Sequence, residues 1–120
     1  MKTLNAFKLV VDTDDAITIY YTEDDEIKNS EYVLSNFTSE EQTKINDLID
    51  IVNNRISGEE SLIEFLAQIT ENFHLSKERI RYVFGTEDSD YRFLYIDNMT
   101  ITEQTEYIEV KTVMDNKINE

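Results

Sequence analysis

Apolar and polar positions alternate along the first part of the chain. Phe7, Leu9 and Val11 share one strand face, and Ile17, Ile19 and Tyr21 repeat the pattern beyond Asp12-Thr13-Asp14-Asp15. Alternation of this kind predicts a β-hairpin over 4–22, with aspartates at the turn because their side chains accept backbone hydrogen bonds. A solvated loop follows at Glu23-Asp24-Asp25-Glu26, and 30–36 reads as a third strand or as irregular chain. The period then changes. Thr38 and Glu41 form a Thr-x-x-Glu capping box, and Ile45, Leu48, Ile49, Val52 and Ile56 recur at helical spacing up to Gly58, which can supply the left-handed stop. Leu62, Phe65, Leu66, Ile69 and Phe73 predict a second helix over 60–72. Ser76, Ile80, Val83 and Phe84 predict a third, ending at Gly85. A second hairpin is expected from 91–97 and 105–114, with Ile108, Val110 and Met114 on one side, and 115–120 is expected to fray.

These elements predict an α+β fold: an antiparallel sheet of four to five strands from N- and C-terminal hairpins, with three helices packed on one face. The 120 residues form a single domain, 1–120, in which no internal repeat or linker is evident. With 40% hydrophobic residues in periodic runs, the chain has the apolar surface that a disordered acidic tail lacks.

Charge changes the picture most. Against 26 acidic residues stand 11 Lys and Arg, a formal net charge of −15. Residues 62–84 balance their acids and bases, and every other stretch is acidic. Self-repulsion of that size opposes folding, so a solvation or partner reason is expected behind it. The chain has no cysteine, one histidine (His74) and two glycines. That inventory gives no thiolate site and no phosphate-cradling loop, and any histidine-dependent triad would have to use His74. The expectation is a non-enzymatic protein without cofactor or metal. His74 reads as a helix C-terminal cap, because no companion His or Cys accompanies it as a metal ligand, and Asp12-Thr13-Asp14-Asp15 lacks the glycine and closing glutamate of a calcium loop. No signal peptide is expected behind Met1-Lys2-Thr3-Leu4-Asn5, nor any run of the ~20 apolar residues a membrane span requires. The expected location is cytoplasmic.

Three readings of the acids compete: a solvating shell, a cation site, and mimicry of nucleic-acid phosphate. Carboxylates two residues apart on a strand lie ~6.6 Å apart. One helical turn apart they are displaced by ~5.4 Å along the axis. Both spacings suit side chains that read successive phosphates, and Asp88/Asp90 and Glu60/Glu64 supply them. The expected contact set for a basic, nucleic-acid-handling partner is Glu23, Asp24, Asp25, Glu26, Glu87, Asp88 and Asp90. Tyr91, Phe93 and Tyr95 alternate on one strand face, as core or as an exposed anchor for a partner or homodimer.

Two resemblances bear on function. In size, acidity and lack of catalytic groups the chain resembles phage-encoded DNA-mimic inhibitors, including anti-CRISPR and anti-restriction proteins. That likeness covers the whole chain and is compositional. It implies an inhibitor, cytoplasmic in a bacterial host, that occupies a basic DNA- or guide-binding groove on a defence nuclease. Separately, residues 62–84, through Leu75-Ser76 and Ile80, resemble the helix-turn-helix of bacterial transcription regulators, with Thr70 where Ala is usual and His74 where Gly is usual. That resemblance implies a regulator or dimerisation module that contacts DNA through Ser76, Lys77, Arg79 and Arg81.

Overall fold

The computed structural model describes residues 1–10, 16–56, 62–66, 78–83 and 91–120. Strands β1 (Thr3–Val10), β2 (Ala16–Glu23) and β3 (Glu26–Val33) lead through a 3₁₀ turn at Leu34–Asn36 into helix α1 (Ser39–Ile56). Strands β4 (Leu62–Leu66), β5 (Arg79–Val83) and β6 (Tyr91–Tyr95) lead through a 3₁₀ turn at Ile96–Asn98 into helix α2 (Ile101–Ile118). All strands join one antiparallel six-stranded sheet in the order β3-β2-β1-β4-β5-β6. The helices pack on one face of it. Phe7, Leu9, Ile17, Ile19 and Ile80 from the sheet bury against Ile45, Leu48, Val52, Tyr107, Val110 and Met114 from the helices. Each such side chain contributes about 1.5–3 kcal/mol through burial.

The chain is an internal repeat, contrary to the sequence expectation. Each half runs β-β-β-3₁₀-α, and the halves meet at the central pair β1–β4, where Phe7 lies opposite Phe65. Asn36, Thr38, Glu41, Gln42 and Thr43 correspond at one constant interval to Asn98, Thr100, Glu103, Gln104 and Thr105. The correspondence extends to hydrogen bonds. Glu41 N–H donates to Thr38 Oγ1 at 3.2 Å, and Glu103 N–H donates to Thr100 Oγ1 at 3.2 Å. Gln42 Nε2 donates to the Phe37 carbonyl and Gln104 Nε2 to the Met99 carbonyl, both at 2.8 Å. Phe37 and Met99, Ile45 and Tyr107, Leu48 and Val110, and Val52 and Met114 are buried in equivalent places. Since the two caps are built alike, Thr38→Ala and Thr100→Ala are each expected to cost about 1 kcal/mol, measured by chemical denaturation.

The N-terminal hairpin lies where alternation placed it, with Phe7, Leu9, Ile17, Ile19 and Tyr21 buried. The third strand is real but starts at Glu26, because Asp24 and Asp25 close a two-residue turn with φ of 53° and 63°. Left-handed backbone at both central positions matches the right-handed twist of the strands, and aspartate tolerates it. The helix from Thr38 is as expected.

Elsewhere the three-helix expectation is corrected: the described residues contain two helices and six strands. Residues 62–66, expected in a second helix, form β4. An apolar run this short fits either period, and pairing with β1 in the middle of the sheet decides it. Residues 79–83, expected in a third helix, form β5. There Ile80 is fully buried while its neighbours Arg79 and Arg81 are not. Residues 105–114, expected to be a strand, lie within α2: Tyr107, Val110, Met114 and Ile118 bury at helical spacing, and Thr100 caps the start. The end of the chain is tied down. Ile118 is buried, and Asn119 exchanges hydrogen bonds with the backbone of Lys2, each 3.0 Å. The Asp12–Asp15 turn, Gly58, His74 and Gly85 lie outside the described residues.

Candidate interaction surface

The helices run antiparallel, the end of each against the start of the other. Arg55, near the end of α1, pairs with Glu103 in the first turn of α2, with Nε to Oε2 at 3.0 Å. Lys117, near the end of α2, donates to the Asn36 carbonyl just before α1 at 2.6 Å. The Arg55 guanidinium and the Thr100 backbone N–H hold the Glu103 carboxyl at about 2, far below its ordinary 4.5.

Beside that clamp the helix pair gathers uncompensated acid. Asp47 and Asp50 on α1, and Glu109 and Asp115 on α2, have no ion-pair partner among the described residues. Asp47 and Glu109 occupy equivalent positions of the repeat. Glu106 sits between them with one carboxylate oxygen buried and lacking a hydrogen bond. Burial raises its pKa first, followed by the charges of Glu109 and Asp47, against a lowering by Lys44. Because the protonated form is favoured in the fold, ionised Glu106 subtracts stability at neutral pH. That loss disappears as pH falls through its raised pKa to below 4.5. Glu106→Gln is therefore expected to raise the melting temperature at pH 7, with a gain that vanishes below pH 4.5 in melts across pH.

A second acidic point is the tip of the β2–β3 hairpin. Glu23 is engaged by Lys28 at 3.2 Å, while Asp24, Asp25 and Glu26 stand exposed without ion pairs among the described residues. Of the expected contact set, the structure thus brings Glu23, Asp24, Asp25 and Glu26 together at one turn, with Glu23 already partnered. Glu87, Asp88 and Asp90 lie outside the described residues. Glu64 is on β4, so Glu60/Glu64 do not form a one-turn helical pair. The helical acids Asp47 and Asp50 were missed, although their spacing on a capped helix placed both on its solvated side.

The opposite face of the sheet has a different character. Lys8, Arg79 and Arg81 lie there, since the intervening positions Phe7, Leu9 and Ile80 are in the core. The Arg79 guanidinium stacks 3.7 Å over the Phe93 ring, and Tyr95 is 38% exposed. Phe93 and Tyr95 therefore alternate with core-packed Leu94 and lie away from the helices; the Tyr91 side chain is outside the described residues. Arg79 and Arg81 stand on a strand rather than a recognition helix, and Ser76 and Lys77 lie outside the described residues. That face carries both signs of charge, because Glu64 stands in register between Lys8 and Arg81, and Glu31 stands opposite Thr18. Among the described residues no helix is long and apolar enough to cross a membrane. No protein-family model, curated protein or solved structure matches the chain.

Proposed function

We propose that this chain is a non-enzymatic acidic binding protein that blocks a basic nucleic-acid-binding partner by presenting carboxylates where phosphates would lie. The observation that carries this reading is the crowding of carboxylates on the helix pair. Glu109 and Asp47 crowd desolvated Glu106 against the single opposing charge of Lys44, and Lys28, Lys44, Arg55, Lys111 and Lys117 are each engaged by another carboxylate, Glu23, Glu40, Glu103, Glu78 and Glu120 respectively. A shell serving solubility alone gains nothing by crowding like charges until one is destabilised. Crowded carboxylates facing a cationic groove steer association and release counterions as phosphates do. A bacterial defence nuclease is the kind of partner that the resemblance to phage-encoded anti-CRISPR and anti-restriction inhibitors supplies.

The hairpin tip contributes a second negative point that can be neutralised without reshaping the turn. Asparagine tolerates the left-handed backbone that Asp24 and Asp25 adopt, so Asp24→Asn with Asp25→Asn keeps the hairpin while removing two charges. The double variant is expected to bind its partner about tenfold more weakly at low salt, with a smaller difference at high salt. Pull-down from nuclease-treated bacterial lysate at both salt concentrations reads this. Equal capture of variant and parent at low salt removes the tip from the contact set.

A further inference from the structure

The repeat supplies an internal control for the helix surfaces. Where the halves are fully buried both stay apolar, but one outward stripe changes from polar to apolar character between them. On α1 the stripe reads Ser39, Thr43, Asn46 and Asp50; at the equivalent places on α2 it reads Ile101, Thr105, Ile108 and Thr112. Ile101 is 84% exposed and Ile108 57% exposed. The hydroxyls of Thr105 and Thr112 turn back to the Ile101 and Ile108 carbonyls at 2.9 and 3.0 Å, which leaves their methyl groups outermost. The result is an apolar ridge at the 4-3-4 spacing of a coiled-coil seam, on a helix whose other side already fills the core. Beside it lies a groove of about 400 Å³ with Ile108 and Val113 on the α2 wall, lined by three carboxylates, Glu40, Glu41 and Glu109, against one cation, Lys44, which pairs with Glu40.

From this ridge and its acidic border we infer that α2 docks an amphipathic helix whose apolar stripe is flanked by Lys or Arg. The inference rests on the proposed basic partner for the charge of that helix, and on the ridge for its pattern. A second copy of this chain fits poorly, because a symmetric contact sets the same acidic border against itself between two molecules of net charge −15. Neither exposed isoleucine supports the core, so the fold itself gives no reason to keep them apolar.

The test uses synthetic peptides as long as α2 and the full chain, by fluorescence anisotropy. One peptide carries leucines at the 4-3-4 spacing flanked by lysines, a second has the same leucines flanked by glutamates, and a third has the lysine composition in shuffled order. The first is expected to bind most tightly. Ile101→Ser with Ile108→Asn, which installs the chain's own α1 residues, is expected to weaken it about tenfold or more with the melting temperature unchanged. The milder Thr105→Ser with Thr112→Ser removes only methyl groups and is expected to weaken binding in the same direction. Equal binding of shuffled and patterned lysine peptides overturns the ridge and leaves the acidic surface standing. Failure of every lysine peptide counts against both. Equal binding of the glutamate-flanked peptide overturns the charge assignment, and a dimer in sedimentation that Ile108→Asn dissolves overturns the partner in favour of a second copy.

Discussion

Truncating Tyr107 to alanine is expected to destabilise the fold by about 3–5 kcal/mol, the range for removing a buried aromatic side chain. Domains of this kind are stable by about 5–15 kcal/mol in total, so the variant stands near the edge of folding. Tyr107 is 1% exposed and stacks on Phe7 with ring centroids 6.4 Å apart. Phe7 in turn faces Phe65 across the β1–β4 pair, so this contact joins α2 to the seam between the halves. Burial, reinforced by the charge of nearby Glu78, pushes the Tyr107 hydroxyl far above its ordinary pKa of 10.0. Chemical denaturation with far-UV circular dichroism measures the loss. A cost below ~1 kcal/mol would mean that the two halves do not share one core.

The second large effect is on binding. Asp47→Lys, Asp50→Lys and Glu109→Lys together reverse the centre of the acidic helix surface and are expected to weaken the partner complex about a hundredfold or more at low salt. Asp47 and Asp50 are exposed and Glu109 is half-buried, all without ion-pair partners among the described residues, so no native pairing is broken. Folding is expected to be unharmed, because the substitutions at Glu109 and Asp47 remove the like charges that add to burial in raising the Glu106 pKa. The melting temperature and the affinity should therefore move independently. Loss of both together would make the surface structural and nothing more.

The legible parts of the fold were those where a single period ran long enough. Phe7 and Leu9, then Ile17, Ile19 and Tyr21, alternated cleanly and formed the strands expected of them. Thr38 and Glu41 marked a helix start that the structure repeats bond for bond. Short segments failed. Leu62–Leu66 is apolar enough for a buried helix or a central strand, and only its pairing with β1, far away in sequence, settles it. Residues 105–114 misled because Ile108 and Val110 mimic alternation, whereas Ile108 is solvent-facing and the buried set is Tyr107, Val110 and Met114.

The repeat escaped notice for a related reason. Most of its identical residues are polar groups at a helix entry, such as Gln42 and Gln104, while the strands keep apolar character with little identity. With the repeat in hand, Thr100-x-x-Glu103 reads as a second capping box and α2 follows from it. The candidate site was half legible: acid at the hairpin tip was visible as a run, but the Asp47, Glu106 and Glu109 cluster exists only because two helices lie side by side.

Competition for one groove is the centre of this account, and displacement by nucleic acid tests it most directly. The partner captured from nuclease-treated lysate is held on the immobilised chain, and duplex DNA or the partner's own guide strand is titrated in. Release of the partner at nucleic-acid concentrations that track its own affinity, more readily as salt rises, is the predicted result. A partner that holds chain and nucleic acid together, or that stays bound after Asp47, Asp50 and Glu109 are reversed, contradicts it.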